Sequence, residues 1–253
     1  MEQSALYRFM MVHNNLQEAR MMTQDRRNGI LIGIFYIVAA VSSIIAVISY
    51  EPVLSEQWYM SAANGFKTRV LLGVVNDLLL VVSAVGTAAM LFPYLRRWNE
   101  QIALGHLCFR FMEAILIAIG VVSILGLLQL SIHYEANGLA NKENLLEIGY
   151  MLQAFHRWTS MLGPNFMLGI NTVLYSYLLF RTGLVPRPLA LFGMVTAVLV
   201  FVAGLLEMFG IVEPLSAAKG FIALPVGVYE MSLAVWLIAK GFHKQNLEKL
   251  TGR

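Results

Sequence analysis

Long apolar runs dominate this sequence, and short polar joints separate them. Each run is at least as long as the roughly 20 residues that a helix needs to cross the hydrocarbon core of a bilayer. None alternates apolar and polar residues as a barrel strand does, and backbone groups in lipid must bond within the protein, so the pattern predicts transmembrane helices. Six runs qualify: Gly29–Tyr50, Val70–Tyr94, Ala103–Ile132, Met161–Phe180, Leu189–Val212 and Ala217–Phe242. The predicted fold class is all-α, a polytopic transmembrane bundle of six helices.

The residues before the first run predict a short amphipathic helix on the cytoplasmic leaflet. Apolar residues there follow helical spacing opposite charged ones; a solvated tail is the alternative. The apolar residues are Leu6, Phe9, Met10 and Leu16, with His13 at the same spacing, and the charged ones are Arg8, Glu18 and Arg20. A cleaved signal peptide is not expected, because both the basic part and the apolar run are too long. The predicted domains are this segment (1–28), the six-span domain (29–242) and a cytoplasmic tail (243–253).

The segment Lys142–Phe180 is too long for a single crossing, because as one helix it would reach roughly 58 Å. Its first part carries Glu143, Glu147 and Gln153 and is expected at the outer interface. The pair Gly163–Pro164 predicts a bend where the chain turns into the membrane.

Composition supports the membrane interpretation. Hydrophobic residues make up 58% of the chain and charged residues 13%, whereas a soluble domain carries about 25% charged residues. This excludes both a free globular protein and a disordered chain. The net charge of +3 is too small to indicate nucleic-acid binding. Twelve Lys and Arg residues fall on the side of the two termini and four on the opposite side, which places both termini in the cytoplasm.

Known cofactor motifs are missing from the sequence. The single cysteine, Cys108, excludes an internal disulfide and a cysteine-based metal cluster. His106 and His133 lie at opposite ends of one span and cannot face each other across a haem. No phosphate loop, nucleotide fingerprint or nucleophile elbow occurs. We therefore predict no cofactor and no metal.

Polar residues inside the spans form two layers in depth. Each ionisable one costs several kcal/mol unless it is paired or hydrated, roughly 2.5–3.5 kcal/mol on insertion scales. The outer layer comprises Asp77, Gln129, His156, Arg157, Asn165 and Glu207, and the middle layer comprises Arg110, Glu113 and Glu230. This grouping predicts a polar cavity that opens to the outer face and has an ion-paired floor.

Each of these residues also has a purely structural interpretation. Arg110 and Glu113 share a helical face and could serve only to tie the third span to Glu230. His156 with Arg157 is typical of an interfacial anchor, and the buried asparagines are typical of interhelical hydrogen bonds. Asp77 and Glu230 are hardest to explain in this way, because both lie far from the interface without a basic neighbour in their own helix.

Five motifs in a fixed order suggest a family: RRNGILIGIFYIVAAVSSI, LGHLCFRFMEA, LGPNFMLG, LVPRPLALFG and LPVGVYEMSLAVWLIAKGF. With them the chain resembles, from Arg27 to Phe242, the bacterial membrane family named domain of unknown function 4386. Matching positions are Arg110 with Glu113, Gly163–Pro164, Pro186–Arg187, and Pro225 with Glu230, Trp236 and Lys240–Gly241. The resemblance implies a multi-pass protein of the bacterial cytoplasmic (inner) membrane, with Arg110, Glu113 and Glu230 in its core. It implies no catalytic activity.

The favoured hypothesis is a protein that binds or transports a small polar or amphipathic ligand in the outward cavity. The predicted ligand-binding residues are Asp77, Arg110, Glu113, Asn165, Glu207 and Glu230. Expected partners are membrane lipids and a small-molecule or lipid ligand, with no nucleic acid.

Two other hypotheses remain open. An intramembrane hydrolase or lipid-modifying enzyme would use His156 as base or metal ligand with Asp77 or Glu207 as its partner. A zinc site built from these three is chemically allowed but lacks the usual ligand spacing. Alternatively, the protein is a passive scaffold or sensor whose polar residues only hold helices together.

Overall fold

Helices account for nearly all of the structure, a computed structural model that describes residues 2–60, 65–137, 142–213 and 217–251. Side chains are described for residues 23–59, 65–136, 143–213 and 220–250. The described chain contains no strand, so the all-α prediction is confirmed. The helices are α1 (Glu2–Leu54), α2 (Lys67–Leu95), α3 (Glu100–Asn137), α4 (Lys142–Met161), α5 (Leu168–Thr182), α6 (Arg187–Met208), α7 (Ala217–Ala239) and α8 (Lys244–Thr251). A short 3₁₀ turn (Trp58–Met60) follows α1, and a π-helical segment (Leu162–Met167) joins α4 to α5.

Within the described residues, five helices are long and apolar enough to cross a membrane. They are Thr23–Leu54, Lys67–Leu95, Glu100–Ala136, Arg187–Met208 and Gly220–Ala239. A helical multi-pass bundle is thus confirmed, but the count of six is not reproduced. The predicted fourth span, Met161–Phe180, is divided between the π segment and α5, which at 15 residues is too short to qualify by itself.

The predicted N-terminal helix is not a separate element. Helix α1 runs without interruption from Glu2 into the first span, because no proline precedes Pro52 and nothing else in the segment breaks the helix. The side chains on which the amphipathic pattern depends lie outside those described.

Pro164 explains the π-helical segment. A proline inside an α-helix removes one backbone hydrogen bond, and its ring clashes with the carbonyl four residues earlier. A wider π turn relieves that clash. Gly163 packs directly on α3, where an added Cβ would lie 3.1 Å from the Cβ of Leu116 and 3.4 Å from the carbonyl of Glu113. The irregularity therefore sits at the predicted bend and against the turn of α3 that carries Glu113.

Large apolar side chains on the outside of the bundle are exposed. Ile44, Leu72, Val122 and Val235 each expose 60% or more of their surface. Such a surface fits contact with lipid, since soluble monomers rarely expose large contiguous apolar patches.

Side chains near the predicted cytoplasmic end cap the helices. Arg26 donates to the carbonyls of Leu237 (2.9 Å) and Ala239 (3.3 Å) in the last turn of α7, where the Leu237 carbonyl also accepts from the Gly241 amide. The predicted tail contains α8, and Asn246 in it donates to the carbonyl of Gly183 at the end of α5 (2.7 Å). Arg26 of α1 and Asn246 of α8 therefore both cap the ends of neighbouring helices.

We expect Arg26→Ala to lower the free energy of unfolding by roughly 1–3 kcal/mol, because the α7 carbonyls lose a charged donor. Thermal unfolding of the full chain in detergent measures this. The neighbouring exposed Arg27→Ala is the matched control and should unfold as the wild type does. Equal losses in the two variants would contradict the capping role.

Candidate functional site

A buried ion pair lies at the centre of the bundle. Arg110 and Glu113 are three residues apart on α3, and one guanidinium nitrogen lies 3.2 and 3.1 Å from the two carboxylate oxygens of Glu113. Arg110 exposes 3% of its surface and Glu113 5%. The Nε of Arg110 donates to the carbonyl of Ala84 on α2 (3.3 Å). The small buried side chains of Ala84 and Ala88 leave room for this long side chain between the two helices.

Two further helices join this pair. Asn171 on α5 donates from Nδ2 to Glu113 (2.7 Å) and to the carbonyl of Met167 (2.9 Å). Glu230 on α7 brings Oε1 to within 3.8 Å of Arg110, exposes 8% of its surface, and makes no hydrogen bond at that oxygen. We call Arg110, Glu113, Asn171 and Glu230 the central cluster. It joins α2, α3, α5 and α7 around one guanidinium and two carboxyl groups.

Aromatic and hydroxyl groups that the sequence analysis missed surround the central cluster. Tyr175 stacks against Tyr229 at 6.1 Å and lies 6.3 Å from Tyr36. Tyr36 and Tyr229 both interact electrostatically with Glu230. The hydroxyl groups of Ser176 and Tyr229 are 2.8 Å apart. All four side chains are almost completely buried.

A periodic signal in α5 could have revealed these neighbours. Asn171 and Tyr175 are four residues apart, as are Thr172 and Ser176, so all four project from one helical face. Polar residues repeated at this spacing inside an apolar run indicate a face turned toward the bundle interior. None of these four side chains carries a formal charge, so the cost of ionisable groups in lipid does not single them out.

A second polar group lies nearer the predicted outer end. The Tyr50 hydroxyl on α1 donates to Oδ2 of Asp77 on α2 (2.8 Å), and Asp77 exposes 5% of its surface. The ring of His156 on α4 meets the Tyr50 ring edge-on at 5.8 Å, and its Nδ1 lies 3.2 Å from the carbonyl of Gly120 on α3. We call Tyr50, Asp77 and His156 the outer cluster.

Two helical turns separate the clusters. Asp77 and Ala84 are seven residues apart on one face of α2, and Glu113 and Gly120 are seven residues apart on one face of α3. Seven residues of α-helix rise about 10.5 Å. The polar groups therefore occupy two depths along the same pair of helices.

The remaining predicted site residues are not part of either cluster as defined. Asn165 is buried in the π segment, where its Cβ faces Gly204 of α6, and Glu207 lies one turn further along α6. Gln129 and Arg157 are exposed on the outside of α3 and α4.

Among the side chains described, no three His, Cys, Asp or Glu groups assemble as a metal site, so the zinc triad of His156, Asp77 and Glu207 is not formed.

Comparison with known proteins gives one result. A family model described as "Domain of unknown function (DUF4386)" matches residues 31–241, which covers all five apolar helices in whole or in part. No curated protein and no solved structure matches the chain.

We expect Arg110→Met to destabilise the fold by roughly 3–5 kcal/mol, because it leaves buried carboxylates without their cation. The double variant Arg110→Met with Glu113→Gln should recover part of that loss, since one of the two carboxylates is then neutral. Denaturant unfolding of both variants in detergent measures the difference. A single variant within about 0.5 kcal/mol of the wild type would show that the ion pair is dispensable for folding.

Proposed function

This chain belongs to the family described as domain of unknown function 4386, and from its central cluster we propose that it binds a small polar or amphipathic ligand inside the membrane, or carries one across it. The proposed site is a polar cavity that opens toward the outer face and has the central cluster as its floor. The proposed location is the bacterial inner membrane, with both termini in the cytoplasm, as the distribution of Lys and Arg favours.

The observation that carries this proposal is the charge balance around Arg110. One guanidinium faces two carboxyl groups, and Glu230 leaves Oε1 without a hydrogen bond. If both acids are ionised, the cluster holds one uncompensated negative charge far from water, which is costly. A proton, or a cationic group of a ligand, removes that cost. A purely structural ion pair needs only one acid for each base.

The neighbouring atoms indicate the chemistry of the ligand. Glu230 Oε1 and Asn171 Oδ1 are buried acceptors without a donor, and the hydroxyl of Thr172, the next residue along α5, is also buried without a partner. Acceptors in excess favour a ligand that donates hydrogen bonds. The tyrosine rings next to Glu230 add apolar surface and π faces that attract cations. An amphipathic amine fits both properties.

A structural role for the central cluster is the competing proposal, and one observation favours it. Through Arg110, Glu113 and Asn171 the cluster joins α2, α3 and α5 by direct hydrogen bonds. Buried polar networks of this kind can fix the register of helices without binding anything. The two proposals differ at Glu230. This residue makes no hydrogen bond through Oε1, and it adds a negative charge that a purely structural network does not need.

Glu230→Gln tests the binding proposal. The amide keeps the shape of the side chain and removes the excess charge, so stability should be retained. Native mass spectrometry of the detergent-purified chain should show a co-purifying small molecule in the wild type. Its affinity should fall about ten- to a hundredfold in Glu230→Gln, because a charge-assisted hydrogen bond contributes roughly 1.5–3 kcal/mol.

Glu100→Gln is the matched control, since Glu100 is an exposed carboxylate at the start of α3. It should retain the bound molecule at the wild-type level. A Glu230→Gln variant that binds the molecule as tightly as the wild type would contradict the proposal. So would a wild-type chain that carries no molecule and gains stability from Glu230→Gln.

A further inference from the structure

The outer cluster contains a buried carboxyl group that the proposed function does not use. Tyr50 satisfies one oxygen of Asp77, while the other oxygen, Oδ1, is buried and has no hydrogen-bond partner. The neighbouring Asn76 turns away and donates to the carbonyl of Ser42 (2.6 Å). Asp77 therefore has one donor for two acceptor oxygens at a depth where water does not compensate.

The ionisable groups on the surrounding helices leave Asp77 without a cation. From α1, Tyr50 binds it, and His156 of α4 packs edge-on against the Tyr50 ring. On α3, Arg110 and Glu113 pair with each other two turns away, and Glu100, His106, His133, Tyr134 and Glu135 lie further along the helix in either direction. On α2 itself, Arg69 binds the carbonyl of Ile48 and lies 3.5 Å from Glu51 at the end of the bundle. Tyr175, Tyr177 and Arg181 of α5 lie beyond Asn171, toward the opposite end.

A proton fits this environment better than a metal ion. A hard cation needs six or more oxygen ligands, and no three acidic or histidine groups converge among the described side chains. A buried carboxylate with a single donor costs several kcal/mol, whereas the protonated acid does not. Because Tyr50 already donates to Oδ2, the proton belongs on Oδ1, the oxygen without a partner.

His156 packs against Tyr50, the donor to Asp77, and offers a basic group on the side of the site nearer the periphery. The carbonyl of Gly120 can only accept a hydrogen bond, so Nδ1 of the neutral imidazole carries the hydrogen and Nε2 is left as a base. The ring is half-buried, and its neighbours Phe155 and Arg157 are exposed. His156 therefore lies between Tyr50 and the periphery of the bundle.

We propose that Asp77 is a proton-binding site distinct from the central cluster, with an exchangeable proton on Oδ1 that enters and leaves through His156. In each exchange the O–H bond at Oδ1 breaks, Nε2 of His156 accepts the proton, and the imidazolium then releases it to the outer solution. No other bond changes. The site loads protons from the outer side whether or not the central cluster binds a ligand.

Infrared spectroscopy of the purified full chain tests this inference, since a protonated carboxyl group has its own C=O stretching band. The wild type should show such a band at neutral pH and lose it reversibly as the pH rises. Asp77→Asn should remove this band, and Glu230→Gln should leave it unchanged, which separates this inference from the proposed function. Tyr50→Phe should move the band to higher frequency, because the acid loses its hydrogen bond.

His156→Gln keeps a polar side chain but removes the base, so the band should respond several-fold more slowly to a pH jump. Circular dichroism of each variant verifies that it is folded. An Asp77→Asn spectrum identical to the wild type at every pH would overturn the site, and an unchanged response in His156→Gln would overturn the route. If Asp77→Asn does not fold, a Tyr50→Phe spectrum without a band shift overturns the assignment to Asp77.

Discussion

The burial of one guanidinium determines how this bundle is organised. Arg110 lies at membrane depth, where an unpaired charge is too costly to keep, so its partners must come from every helix around it. A backbone carbonyl of α2, a carboxylate of α3 and a carboxylate of α7 converge on it. Few arrangements of apolar helices satisfy that requirement, whereas lipid contact alone would allow many.

Prolines inside the helices also leave backbone groups without their usual hydrogen bonds, and other parts of the chain compensate for them. Pro52 cannot donate to the carbonyl of Ile48, and Arg69 of α2 supplies the missing donor. Pro164 instead changes the helix type, and the resulting π segment lies against the carbonyl of Glu113 and leads into the helix that carries Asn171. The irregular stretch thereby places α5 beside the central cluster, as π segments often do at functional sites.

The sequence revealed the helices and the charged residues at depth because both follow from the cost of polar groups in lipid. Arg110, Glu113 and Glu230 are predictable for this reason, and the structure brings them together. Tyr36, Tyr175 and Tyr229 were missed because tyrosine costs little in a membrane and does not stand out among apolar residues. Gly163–Pro164 indicated the bend in the fourth span, but helix length and composition do not show that the proline changes the hydrogen-bond pattern to that of a π-helix. Glu207 was grouped with Asp77 by depth alone, which says nothing about the side of the bundle that a residue faces.

The two clusters lie at different depths of the same two helices. Asp77 and the Ala84 carbonyl lie on one face of α2, and the carbonyl of Gly120 and Glu113 lie on one face of α3. Each cluster holds this pair of helices against different neighbours. At the outer depth Tyr50 of α1 binds α2 and His156 of α4 contacts α3, whereas at the central depth Asn171 of α5 and Glu230 of α7 approach the ion pair of α3. Polar contacts at two depths therefore fix the position of α2 and α3 among four other helices, which apolar packing alone would specify less sharply.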